Sequence, residues 1–289
     1  METSELLKKV RKIEIKTRGL SQDLFSGEYH SAFKGRGMSF SEVREYTPGD
    51  DIRSIDWNVT ARFSHPYVKV FEEERELTVM LLVDVSASEN FGTHKQLKQD
   101  MITELCAVLA FSAIQNNDKI GVLFFTDKVE KFIAPKKGKS HILHIIRELL
   151  QFEPESKKTN ISEALRYFTN AIKKKSIAFV ISDFMDTNFS DALKIAAGKH
   201  DVVGLRIYDK REEELPDMGL VKFRDAESGK LLWLDTSSKQ VRNQYYIAMR
   251  KREHDLKQIF RRSGVDNASI ATNQSYIVPL TTLFAQRGK

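Results

Sequence analysis

The chain has 289 residues, 41% hydrophobic and 30% charged, with 46 Lys and Arg against 40 Asp and Glu for a net charge of +6. This composition excludes disordered, collagen-like and low-complexity classes, and the length allows one large domain or two modest ones around a core that needs no disulfide. A single cysteine, Cys106, excludes internal disulfides, zinc ribbons and iron–sulfur clusters, and the mild positive charge permits nucleic-acid or acidic partners without demanding either.

The first residues, METSELLKKVRKIEIKTRGL, have no apolar core followed by a small-residue cleavage site, so they are not a signal peptide. They read as a short amphipathic helix. The densest apolar run, Thr78 to Val83, meets Asp84 far short of the roughly 20 residues of a spanning helix. No membrane span is expected, and a reducing cytoplasm is the simplest setting. Up to residue 76 the chain has clustered glycines (Gly27, Gly35, Gly37, Gly49), several aromatics and no helical period beyond its first turns. Residues 1–76 are therefore read as a small β-rich or irregular elaboration, with Trp57 in its core.

From residue 77 to 289 strand and helix signals alternate. TVMLLVDVS (78–86), KIGVLFFTD (119–127), SIAFVISDF (176–184) and DVVGLRIYD (201–209) are continuous apolar runs, as strands buried on both faces require. Helical spacing marks 94–118, 140–152, 160–175 and 190–200. VEKFIAP (129–135) alternates and reads as an antiparallel edge strand. VKFRDAESGKLLWLD (221–235) carries a hairpin signal at Glu227-Ser228-Gly229, and a long basic helix covers 237–264. Strands separated by helices imply parallel crossovers, so the expected class is α/β, a mostly parallel sheet with helices on both faces.

The sharpest chemistry is Asp84-Val85-Ser86-Ala87-Ser88, directly after the first buried strand. In an open parallel sheet, ligands bind beyond the carboxyl ends of the strands. In an extended loop, residues at i, i+2 and i+4 point one way, so Asp84, Ser86 and Ser88 can converge on one point. Their hard oxygens suit Mg²⁺, with Mn²⁺ or Ca²⁺ as substitutes. Thr159, before the helix at Asn160, and Asp183, at the end of IAFVIS, supply two more oxygens on the same sheet edge.

This order of residues resembles the metal-ion-dependent adhesion site of von Willebrand factor A domains. The resemblance implies a Rossmann-like fold. Ser86 and Ser88 would bind the ion directly, Thr159 directly or through water, and Asp84 and Asp183 through coordinating waters. An ion so held is under-neutralised and attracts a carboxylate from a protein partner. Such domains often carry Gly-Gly before the Thr. Here Lys157-Lys158 stands there, a pair that repels a metal or draws an acidic partner.

The stretch before that strand narrows the family. Pro48-Gly49-Asp50-Asp51, Arg53, Ile55-Asp56-Trp57, Ala61-Arg62 and Glu72-Glu73-Glu74 resemble the bacterial domain of unknown function 58, a relative of von Willebrand A domains. The resemblance runs from about Leu6 to Phe284. It implies an adaptor or co-chaperone-like partner of a MoxR-type AAA+ ATPase, or of other von Willebrand A proteins. Longer members carry an N-terminal membrane hairpin, which this sequence is expected to lack. Arg36, Arg44, Arg53 and Arg62, interleaved with Glu42, Glu45, Asp50, Asp51 and Asp56, are read as ion pairs tying the elaboration to the sheet.

Other signals carry less. Gly138-Lys139-Ser140 resembles the tail of a P-loop, but Ile133 stands where the phosphate cradle needs a glycine. His141 and His144 lack the spacing of a zinc motif, Cys106 lies in an apolar run, and no GxSxG is present. No nucleophile or general base is placed, so the chain is read as a non-enzyme. The basic helix has eight Lys and Arg from Lys239 to Arg262, against Glu253 and Asp255. Val241, Tyr245, Met249, Leu256, Ile259 and Phe260 form its apolar stripe. Nucleic-acid binding on its outer face is the alternative to metal-dependent adhesion.

Overall fold

The structure is a computed structural model that describes residues 10, 11, 13, 14, 38–73, 77–87, 98–224 and 231–287. Backbone contacts divide the chain into two units, Lys34–Leu77 and a larger one formed by Thr78–Lys289 with Met1–Phe33.

In the smaller unit, β1 (Met38–Glu45) is followed by α1 (Trp57–Phe63) and β2 (Tyr67–Glu73), and the two strands pair antiparallel. The Pro48-Gly49-Asp50-Asp51 segment turns the chain, with Gly49 at φ 113, where an L side chain is strained. Asp50 locks the turn. Its carboxylate accepts the Thr47 N–H at 2.9 Å and both terminal guanidinium nitrogens of Arg44 at 2.8 and 2.6 Å. The Arg44 guanidinium and the Thr47 amide hold the Asp50 carboxyl well below the usual range. This ion pair lies inside the unit; Arg36 lies outside the described residues.

This segment holds an α-helix besides its two strands, and the expectation for Trp57 is corrected. It contains a helix, α1, because Asp56 caps it, accepting the N–H groups of Asn58 and Val59 at 2.9 and 3.2 Å. Seven residues are too few to show a period. Trp57 is not core but 68% exposed, since it is the first residue of that helix and its ring leaves the side that packs.

The larger unit runs β3 (Thr78–Asp84), α2 (Lys98–Gln115), β4 (Lys119–Phe125), β5 (Val129–Lys136), α3 (Lys139–Gln151), α4 (Ile161–Ala171), β6 (Ile177–Ser182), α5 (Ser190–Lys199), β7 (Asp201–Tyr208), α6 (Lys210–Glu213), β8 (Leu220–Arg224), β9 (Leu231–Asp235), α7 (Lys239–Ser263), β10 (Asp266–Ala271) and α8 (Ile277–Arg287). Six strands form one sheet in the order β10-β7-β6-β3-β4-β5. All neighbours are parallel except β4 and β5. β8 and β9 make a separate antiparallel ribbon.

Both sheet faces are covered, which is why the strands read as unbroken apolar runs. On one face Met80, Leu82, Ala178 and Val180 pack with Leu165 and Phe168 of α4, Leu193 of α5, and Leu256 and Phe260 of α7. On the other, Phe179 meets Phe284 of α8 edge-on, with ring centroids 6.4 Å apart. α2 is buried without interruption from Leu105 to Ala110, including Cys106. Burial pushes the Cys106 thiol pKa up, leaving it protonated and unreactive.

β10 and α8 are additions to the sequence reading. Asp266–Ala271 opens on two polar residues and, among the described residues, pairs with β7 alone at the sheet edge. Among the described residues no helix is long and apolar enough to cross a membrane.

Candidate functional site

The sheet order reverses at β3. The chain goes from β3 to β4 on one side, then to β6, β7 and β10 on the other. Adjacent strands whose connections leave in opposite directions open a crevice at their carboxyl ends. Asp84 is the last residue of β3 and Asp183 directly follows β6, so the sequence-predicted carboxylates flank that crevice.

The loop after β3 is tied down on both sides. Val85 N–H donates to the Phe125 carbonyl at 3.0 Å, and Ala87 N–H donates to the Lys157 carbonyl at 3.2 Å. The second bond draws the segment leading to Thr159 against the Asp84–Ser86 turn. Asn160 then caps α4, its side chain accepting the Glu163 N–H at 3.0 Å. Asp186 accepts the Ile161 N–H at 2.9 Å and so joins the loop after β6 to the start of α4. Asp84, Ser86, Thr159 and Asp183 thus lie on three loops that these bonds hold together. Ser88, the remaining expected ligand, lies outside the described residues.

Asp84 and Ser86 are buried, and Thr159 is half-buried. Asp84 Oδ1 accepts the Ser86 N–H at 3.0 Å, and Oδ2 accepts the Ser182 hydroxyl at 2.6 Å. Burial, and next the charge of Asp183, push the Asp84 carboxyl up to about 7. Asp183 Oδ1 accepts the Met185 N–H at 3.0 Å, while Oδ2 lies 3.3 Å from Lys98 Nζ. Phe184 sits at φ 55, a left-handed conformation uncommon outside glycine. Its N–H donates to Ser182 Oγ at 3.0 Å, and its ring packs on Phe189 and Phe260.

Sequence reasoning passed over four contributors. Ser182 precedes Asp183 and bonds Asp84. Asp209, fully buried at the end of β7, accepts the Thr272 hydroxyl at 2.8 Å. Glu212 pairs with Lys98 at 2.6 Å, and burial raises its carboxyl pKa. Lys98 itself is 0% exposed. Beside them a cleft of about 500 Å³ is lined by Asp84, Ser86, Gln99, Thr103, Phe152 and Pro154 among others.

Among the described residues the donor atoms are carboxylates and hydroxyls, with no imidazole or thiol. Among the described residues no cluster of three or more His, Cys, Asp or Glu is arranged to hold a metal. A cation here would rest on serine and threonine oxygens with carboxylates behind them, a hard-oxygen set that fits Mg²⁺ or Mn²⁺.

A family profile described as "Protein of unknown function DUF58" matches residues 42–255. The chain belongs to this family. Among its relatives is the uncharacterized protein Rv1480 of Mycobacterium tuberculosis, 27% identical over 281 residues that span 96% of this chain and 88% of its own. One solved structure agrees in fold. An aerotolerance-related membrane protein from Bacteroides fragilis is 14% identical and superposes with a TM-score of 0.51, covering 73% of this chain and 98% of that one. The conserved hypothetical protein BatB from Bacteroides thetaiotaomicron is 15% identical over the same shares, with a TM-score of 0.48. At such identities the likeness concerns the fold. For this DUF58 member that fold is α/β, with a mostly parallel sheet and helices on both faces.

Proposed function

We propose that the protein is a Mg²⁺-dependent, non-catalytic protein-interaction module of the cytoplasm. Mg²⁺ would be held by Ser86, Ser88 and Thr159, with Asp84 and Asp183 behind them, and Mn²⁺ would substitute. The bound ion supplies an electrophilic point for one carboxylate of a partner protein. A MoxR-type AAA+ ATPase or another von Willebrand A protein is the partner class to try first.

One observation carries the reading. At the carboxyl edge Asp84, Asp183 and Asp209 are buried, Glu212 is largely buried, and among the described residues Lys98 is the fully buried cation beside them. Carboxylates gathered in a buried place repel one another. A divalent cation among the hydroxyls would ease that repulsion.

Ser86→Ala is expected to weaken Mg²⁺ binding about tenfold or more by losing one oxygen ligand, while its unfolding midpoint in EDTA stays close to wild type. Isothermal titration with Mg²⁺ and thermal unfolding measure the two effects. Capture of an AAA+ ATPase in Mg²⁺ but not in EDTA, abolished by Ser86→Ala, tests the docking step. Equal Mg²⁺ binding by both proteins would overturn the proposal.

The alternative, nucleic acid on α7, gains little. The apolar stripe of α7 packs on the domain through Leu256 and Phe260. On its outer face Arg250 and Lys257 both pair with Glu253 at 2.8 and 2.6 Å, and Arg242 pairs with Asp217 at 3.2 Å. These cations are already partly neutralised before any phosphate arrives.

A further inference from the structure

We propose that Lys98 is a fixed internal cation of the carboxyl-edge site that sets how much further positive charge the site accepts. The inference rests on the metal-dependent reading above and goes beyond it to a residue outside the ligand set.

A lysine with no exposed surface is rare unless it is paired. Lys98 Nζ lies 2.6 Å from Glu212 Oε1 and 3.3 Å from Asp183 Oδ2. Both partners are held on their other sides. Asp183 Oδ1 accepts the Met185 N–H at 3.0 Å, and Glu212 Oε2 accepts the Asp209 N–H at 3.0 Å. Asp183 is therefore gripped at both oxygens and cannot turn its carboxylate without breaking a buried ion pair. Glu212 belongs to α6, whose cap is the buried Asp209, and its carbonyl accepts the Tyr245 hydroxyl of α7 at 2.7 Å. Lys98 thus links the loop after β6 to α6, which Tyr245 ties to α7.

The charge consequence follows from Coulomb's law in a poorly solvated place. One ammonium cancels one of the negative charges of Asp183 and Glu212. It also opposes any divalent cation that approaches Asp84 and Asp183. Removing it leaves the geometry of the hydroxyl ligands in place and makes the site one charge more negative. The structure therefore assigns to Lys98 a weakening of divalent affinity together with a strengthening of the cation-free fold.

The test uses the full chain and Mn²⁺ alone as probe, with free Mn²⁺ read by electron paramagnetic resonance. Circular dichroism in EDTA establishes that each variant is folded. Lys98→Met is expected to bind Mn²⁺ about tenfold or more tightly than wild type and to unfold at a lower temperature in EDTA. Lys98→Met combined with Glu212→Gln removes one charge of each sign, and its affinity is expected to return to within about threefold of wild type. A purely structural lysine predicts the opposite for the single variant and no recovery in the double. Folded Lys98→Met binding Mn²⁺ no better than wild type would overturn the inference, as would a double variant that stays at the single variant's affinity. If wild type binds no Mn²⁺ but Lys98→Met does, the inference stands and the metal-dependent reading of the native protein fails. If neither binds, both fail.

Discussion

In EDTA at pH 8, Asp84→Asn is expected to be more stable than the wild-type protein by about 2–4 kcal/mol. Burial, and then Asp183, raise the Asp84 carboxyl from its ordinary 3.8 to about 7. At 1.36 kcal/mol per pH unit, ionising Asp84 inside the fold costs about 4 kcal/mol. The folded value is the higher one, so the protonated form favours the fold. That contribution is fully present below about pH 4, is lost as pH rises through about 7, and stays absent above it. Asn is neutral at every pH and never carries the ionisation cost, so the two stability curves meet near pH 4 and separate on the alkaline side. Some of the gain is lost because the amide replaces an oxygen that accepts from Ser182 or Ser86. The groups facing Asp84 are Asp183, with Lys98 paired to it, and the hydroxyls of Ser182 and Ser86. Urea unfolding from pH 4 to 8 checks the sign. Millimolar Mg²⁺ should then stabilise wild type and leave Asp84→Asn unmoved, because ligand binding to the native state alone adds RT ln(1 + [L]/Kd). An Asp84→Asn protein less stable than wild type at pH 8 in EDTA means that the ionised carboxylate is already compensated within the fold.

Much of this site was legible before any coordinates. Asp84 and Asp183 end apolar runs, and a parallel sheet places such ends at one edge, so their convergence follows from pattern and topology. The supporting residues were harder to see. Lys98 sits in HKQLKQD, which looks like a solvated, lysine-rich stretch. Its register told otherwise: Met101 and Leu105, three and seven positions on, are both buried, so Lys98 shares the apolar face of α2. A lysine on such a face is a signal only once it is asked where its charge goes. Glu212 gave no signal at all, because its partner is 114 positions away and set by tertiary contact. β10 was missed because edge strands need less apolar sequence than central ones, and DNASIA carries a single large apolar residue. Trp57 misled for the reverse reason: size and hydrophobicity favour burial on average, but the cap at Asp56 fixes which side of α1 packs.

Phe260→Ala is expected to cost about 3–5 kcal/mol of stability and also to weaken divalent binding at the distant sheet edge. The ring is 1% exposed, in the layer formed by α4, α5 and α7. It fills the space that Gly204 leaves on β7: a Cβ built on Gly204 would meet two of its ring atoms at 2.7 Å. Its second contact links it to the site. Phe260 meets Phe184 edge-on with centroids 5.1 Å apart, and Phe184 directly follows Asp183 at φ 55. An unfavourable backbone conformation persists only while its surroundings hold it. Phe184 is held by its ring, between Phe189 and Phe260, and by its N–H on Ser182 Oγ. With Phe260 gone, the loop can relax toward ordinary φ and take the Asp183 carboxylate with it. Phe168→Ala provides the comparison. Phe168 is fully buried in the same cluster, and its ring lies tilted against His200 with centroids 4.4 Å apart. Both variants should lose similar stability in urea. At a temperature where both remain folded, only Phe260→Ala should show a weaker Mn²⁺ titration, by about tenfold. Equal Mn²⁺ affinity in the two would separate Phe184 from the site and leave its backbone conformation a packing matter alone.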